Sequence, residues 1–166
     1  GAATTQQATV ITMTADTGGT STLKLTGSNT FNTTGIITAA VIDASGLTSS
    51  AFLDMDVAGA SITSITGSIN GDTLIGDTSS SISGGTGNDT ITGGSGADVI
   101  TLGSTGGAGG GSDVVVMSVG SSNAVVVGGS ANDTGSDTIY AFGGAGTTDK
   151  IRINITTADT AWDIMD

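Results

Sequence analysis

GGTGNDTIT, from Gly84 to Thr92, runs without a gap into GGSGADVIT, from Gly93 to Thr101. Both nonapeptides read G-G-x-G-x-D-x-U-x, where U is a large apolar residue, here Ile91 and Ile100. Glycine tolerates positive φ, so the first four residues can curl tightly, and a short carboxylate closes the curl. The x-U-x triplet that follows suits a short strand whose central side chain points to one face. Such a unit cannot bury its apolar face alone and must stack on copies of itself.

Upstream, Leu74 and Ile82 align with Ile91 and Ile100 at separations of 8, 9 and 9 residues. This register predicts a coil in which two nonapeptides make one turn and successive turns stack about 4.8 Å apart. Downstream, after the insertion LGSTGG, the segment AGGGSDVVV restores the pattern with Asp113 and Val115. GSSNAVV then puts Asn123 where Asp belongs, GSDTIYAF supplies Asp137 and Ile139, and GGAGTTDKI supplies Asp149 and Ile151 with an extra loop residue.

Before Gly67 the chain shows short runs such as TSTLKLTG, GIITAAVIDAS and AFLDMDVAG, broken by Gly, Ser, Asn and Asp. Apolar and polar residues alternate in Thr22–Thr26 and from Phe52 to Val57, and Thr, Val and Ile prevail, so these are strands. The expected fold is all-β: a Thr/Ser-rich β region over 1–66 continuous with a roll over 67–156, then a cap or tail over 157–166. In that tail TTADTAWDIMD, with the only Trp, could form a short helix capped by Thr157 or Asp159 over the open end of the coil.

The 166 residues include 29 Gly and no Pro, Cys or His, and all 15 acidic residues are Asp. A surface selected for solubility alone would mix both acids with Lys and Arg. An all-Asp set fits short carboxylates placed at tight turns. The net charge of −12, against Lys24, Lys150 and Arg152 alone, excludes nucleic acid and anionic lipid as expected partners. No apolar run approaches the roughly 18 residues of a membrane span, and no basic-then-apolar leader opens the sequence. The glycine strings lack the Gly-Lys-Ser/Thr of a phosphate loop. A serine nucleophile would find no His as base, so no catalytic residue is expected.

A glycine curl closed by Asp presents carbonyl and carboxylate oxygens. Calcium takes six to eight oxygen ligands in irregular geometry, whereas zinc wants thiolate or imidazole and magnesium a strict octahedron. One loop supplies half a site, and the loop one turn away supplies the rest. Counting coils in order puts Asp72, Asp89, Asp113 and Asp137 in one column and Ser80, Asp98, Asn123 and Asp149 in the other, the second weakened by Ser80 and Asn123. Stacked carboxylates about 5 Å apart repel by roughly 1 kcal/mol per pair in water and more when buried. The repeats are therefore expected to order with calcium. Asp43, Asp54, Asp56 and Asp77 fall outside the pattern and read as solvated turn or strand-face residues, while Phe52, Tyr140 and Trp162 read as packing residues.

The two nonapeptides resemble the RTX (repeat-in-toxin) calcium-binding family. That resemblance implies a right-handed parallel β-roll, with carbonyls at the first and third motif positions, Gly84 and Thr86, Gly93 and Ser95, joining the aspartates around several Ca2+ ions. It also implies a protein secreted by a Gram-negative bacterium through a type I system. The stretch from Gly35 to Gly67 leading into the repeats is similar to RTX-type surface-layer (S-layer) proteins, which implies a homo-oligomeric lattice at the cell surface. The alternatives are the secretion and folding module of an RTX enzyme or toxin, and an adhesin or ice-binding module.

Overall fold

The computed structural model describes residues 6–8, 11–12, 20–33, 35–55, 62–103, 110–118, 125–127, 137–140 and 148–154. Within them run β1 (Gln6–Ala8), β2 (Ile11–Thr12), β3 (Thr22–Gly27), β4 (Phe31–Thr33), β5 (Ile37–Thr38), β6 (Val41–Leu47), β7 (Leu53–Met55) and β8 (Ser64–Thr66). The later strands are β9 (Thr73–Ile75), β10 (Ser81–Ser83), β11 (Thr90–Thr92), β12 (Val99–Thr101), β13 (Val114–Ser118), β14 (Val125–Val127), β15 (Asp137–Tyr140) and β16 (Lys150–Asn154). No helix occurs among the described residues, and hence none long and apolar enough to cross a membrane.

The chain winds between two seven-stranded sheets. The first has the order β1-β4-β7-β9-β11-β13-β16, the second β14-β15-β12-β10-β8-β6-β3, and β2 pairs with β5 apart from both. The described strand pairings are parallel, as a coil requires, because each strand meets the equivalent strand of the next turn. The expected β-solenoid is the observed fold. Apart from β2 and β5, the strands before Gly67 lie in the same two sheets as those of the repeats, with β6 paired to β8 and β7 to β9.

Three-residue strands follow from the motif: the Asp that closes one curl precedes x-U-x, the next curl follows it, and only the central residue faces inward. In the first sheet Leu74, Ile91, Val115 and Ile151 are in register, and in the second Ile65, Ile82, Ile100 and Ile139. All but Ile151 are at most 1% exposed, and Ile151 packs against the same cluster. The cluster runs on through Ile42, Ala44, Leu47, Leu53 and Met55, so one core follows the coil axis. The flanking residues, such as Thr73, Thr90 and Thr92, lie outward and are half-buried.

Two expectations change. β15, not β14, pairs with β12, and β14 lies beyond β15 at the sheet edge. β14 therefore does not occupy the place that equal spacing assigned to it. Tyr140 is 37% exposed on the outer face of the second sheet rather than packed in the core, because it follows inward-facing Ile139. The expected helix after Thr157, with Trp162, lies outside the described residues, as do Asn123 and Asp56.

Candidate metal centre

The two full nonapeptides fold their loops alike. Gly85 and Gly87 have φ of +102° and +111°, and their counterparts Gly94 and Gly96 have +109° and +90°. A side chain is excluded at Gly85 for a second reason, since a Cβ there would strike the Ser68 carbonyl oxygen of the preceding turn. The curls stack through backbone bonds: Thr86 N–H donates to the Ser68 carbonyl at 3.2 Å, and Ser95 N–H to the Asp77 carbonyl at 2.8 Å.

At the end of each curl the aspartates form a ladder along the roll axis. Asp72 N–H donates to Asp89 Oδ1 at 2.9 Å, Asp89 N–H to Asp113 Oδ1 at 2.8 Å, and Asp113 N–H to Asp149 Oδ1 at 3.0 Å. On the opposite side Ser80 N–H donates to Asp98 Oδ1 at 2.6 Å. Asp72, Asp89, Asp98 and Asp113 are each at most 2% exposed. Carboxylates so deeply buried need a counter-charge, a proton or a full set of donors.

Asp72 has the donors. Its Oδ1 accepts Leu53 N–H at 2.5 Å and lies 3.1 Å from Ser68 Oγ, and its Oδ2 accepts Ser68 N–H at 2.6 Å. Asp89 does not: its Oδ2 is buried against Gly84 with no hydrogen-bond partner. Asp98 Oδ2 is seated in the same way against Gly93. Burial pushes the Asp89 carboxyl up to about 7, with the charges of Asp113 and Asp72 adding to the shift. Burial likewise raises Asp72 and Asp113, although backbone N–H donors pull both back.

One predicted column is thus corrected. The ladder is Asp72, Asp89, Asp113, Asp149, not Asp137. Asp137 opens β15 in the second sheet, where Thr138 pairs with Val99 and so sets Asp137 level with Asp98. The two exchange places because β14 and β15 both belong to the second sheet, which shifts every later coil by half a turn. Of the predicted carbonyls, those of Gly84 and Gly93 point toward Gly67 and Gly76 of the preceding turn, while that of Ser95 accepts Ser79 N–H at 3.0 Å. Thr86 is placed by its side chain, whose Oγ1 donates to the Ile69 carbonyl at 2.9 Å.

Counting aspartates passed over Ser68 and Asn70. Their signal was present: in GSINGD they stand where GGTGND has its second and third glycines, Gly85 and Gly87. Ser80, expected to weaken the second column, is 2% exposed and committed to protein partners, donating to the Ile62 carbonyl at 3.1 Å and accepting Asp77 N–H at 3.0 Å.

A buried carboxylate oxygen without a donor, in a loop of carbonyls, fits a hard cation. Among the described residues no three carboxylates converge, so backbone oxygens must supply most of the ligands, as calcium accepts. The loops that would hold it are Gly84–Asp89 with Gly110–Asp113, and Gly93–Asp98 on the other side. Bound there, the ion would supply the positive charge that the buried carboxylates lack. A groove of about 230 Å³ beside the first loops is lined by Ser, Thr and Gly with Ile69, and has no titratable side chain.

Residues 76–104 match the family model described as RTX calcium-binding nonapeptide repeat (4 copies). The chain therefore carries calcium-binding repeats of the RTX type. No curated protein and no solved structure matches it.

Proposed function

We propose, from the RTX repeats of residues 76–104, that the chain is a secreted structural module that calcium orders and that assembles with copies of itself, as in a bacterial surface layer. The observation that carries the calcium reading is Asp89 Oδ2, buried with no partner at the mouth of a positive-φ glycine loop. Such repeats are typical of proteins secreted by Gram-negative bacteria, and the module is read as structural, its ladder carboxylates each accepting a backbone N–H of the neighbouring turn at Oδ1. Support for assembly comes from architecture. The coil carries two sheets from the Thr/Ser-rich turns into the repeats, and their outer faces would offer surfaces to neighbouring copies.

Two measurements test this. Calorimetry of the full chain should show calcium uptake that chelator reverses. Electron microscopy should then show ordered arrays in calcium that dissolve on chelation. Uptake with only monodisperse particles would leave the calcium module standing and reject assembly.

A further inference from the structure

We infer that the metal columns have a built-in end stop at Ser68, Asn70 and Ser80, and that the turns before Gly84 form a metal-free template on which the calcium-bearing turns stack. The inference rests on the calcium reading above and adds where metal dependence begins.

The loop Gly67–Asp72 has the length, the position and the terminal aspartate of its neighbour Gly84–Asp89. What differs is the pair of residues at the curl. Ser68 and Asn70 replace the two glycines, and neither has positive φ; among the described non-glycine residues only Ser49 and Ser79 do. The side chains fill the space instead. Ser68 approaches Asp72 with both N–H and hydroxyl, Asn70 N–H donates to Ser68 Oγ at 3.0 Å, and Asn70 Nδ2 donates to the Ala51 carbonyl at 2.8 Å. Both oxygens of Asp72 and a carbonyl of the turn before it are thereby satisfied by protein donors. An ion would have to displace hydrogen bonds that cost free energy to leave unmade.

On the opposite side Ser80 does the same. It stands level with Asp98 and turns its hydroxyl to the Ile62 carbonyl one turn back. Further upstream, the described carboxylates are on outer faces: Asp43 beside Lys24 and Ser45, and Asp54 accepting from Asn32 Nδ2 at 2.6 Å. None enters a turn. The buried side chains there are apolar, from Ile37 through Ile65, apart from Thr33.

A parallel coil is costly to start, because its first turn must order many residues before any neighbour rewards them. A turn that is already folded removes that cost for the next one. The first sheet presents β9 and the second presents β10 as the edges onto which β11 and β12 add when calcium binds.

The test is hydrogen exchange of the full chain, in calcium and in chelator, read by peptide. Expected in chelator is retained protection over residues 37–55 and 62–75, with exchange over 84–103 faster by roughly tenfold or more. If 37–75 loses protection together with 84–103, the template is overturned while the calcium reading stands. If calcium changes nothing anywhere, the calcium reading falls and the inference falls with it. A second arm counts ions by native mass spectrometry. Ser68→Gly with Asn70→Gly should bind one more ion than the parent chain, and Ser68→Ala should not. An unchanged count in the double variant overturns the end stop.

Discussion

Residues 37–55 and 84–102 are equal in length and both contribute strands to the same two large sheets, yet they are held by different forces. In the first window eight of nineteen residues are buried and apolar, and one is glycine. In the second only Ile91, Ile100 and Leu102 are buried and apolar, six residues are glycine, and Asp89 and Asp98 are buried. A fully buried Ile or Leu contributes about 1.5–3 kcal/mol, and each glycine costs roughly 0.5–1 kcal/mol in chain entropy. By those magnitudes the first window can hold itself together. The second needs something more, and its buried carboxylates indicate a cation. One backbone path therefore serves two designs, one closed by aliphatic packing and one by coordination.

Withdrawing calcium should break the comparison most visibly. In millimolar calcium the chain should melt with both windows folded, and chelation should lower the midpoint of the repeats by roughly 10 °C or more. Circular dichroism should retain the share of strand signal that belongs to the first window. Complete loss of strand signal in chelator would show that packing before Gly67 is insufficient, and would erase the distinction.

Equal truncations in the two cores come next. Ile42→Ala and Ile91→Ala each remove a side chain at 0% exposure, and each should cost about 2–5 kcal/mol where its surroundings are folded. Ile42→Ala should destabilise the chain with or without calcium. Ile91→Ala should matter only in calcium, because without it the side chain is not buried. Denaturant melts of both variants under both conditions check this.

Acid should act on one window alone, and in opposite directions with and without metal. The folded Asp89 carboxyl is raised from 3.8 to about 7 by burial, so the folded metal-free repeats bind a proton that the unfolded chain releases. Their stability is present below the unfolded value and is lost as pH rises through about 7. A shift of that size corresponds to at most about 4 kcal/mol. In chelator, lowering the pH from 7.5 to 5 should restore protection over residues 84–103. In limiting calcium the same change should weaken binding, since protons compete for the same oxygens. In the first window Asp43 is lowered, chiefly by the Ser45 hydroxyl, so acid offers it no stabilisation.

The two stacked aspartates sharpen the contrast to single residues. Asp89→Asn should weaken calcium binding by about tenfold or more, equivalent to about 1.4 kcal/mol, because its Oδ2 has no donor in the protein. Asp72→Asn should leave calcium affinity unchanged and lower stability by about 1–3 kcal/mol, since it disturbs bonds to Leu53 and Ser68. Titration calorimetry set beside melts separates the two.

How far the sequence could be read follows the same divide. The coil, the inward row Leu74, Ile82, Ile91 and Ile100, and the ladder Asp72, Asp89, Asp113 were legible because each depends on spacing that short glycine loops leave no freedom to change. The exchange of Asp137 with Asp149 was not. Between Ser118 and Asp137 the motif fails, and nothing local states that β14 and β15 share a sheet, so a count of coils cannot know it has lost half a turn. The roles of Ser68 and Asn70 were missed for another reason: a pattern search scores Asp72 as a match and does not ask which donors its oxygens already have. The packing of Ile42, Ala44 and Leu47 into the same core as the repeats was only partly visible, since alternation gives a strand's inward face but not its place in the stack.

The smallest expected effect lies on the outer surface of the first window. Lys24 Nζ is 3.4 Å from Asp43 Oδ2, with the two side chains 63% and 26% exposed. Water screens such a pair, and Asp43 also accepts from Ser45 N–H at 3.0 Å and Ser45 Oγ at 2.6 Å, so removing the lysine leaves the carboxylate solvated and partnered. Lys24→Ala should therefore change stability by less than about 1 kcal/mol, with or without calcium. A loss above about 2 kcal/mol would mean that charge on the outer face, not the aliphatic row inside, holds β3 to β6, and the first window would then be less different from the second than its buried residues indicate.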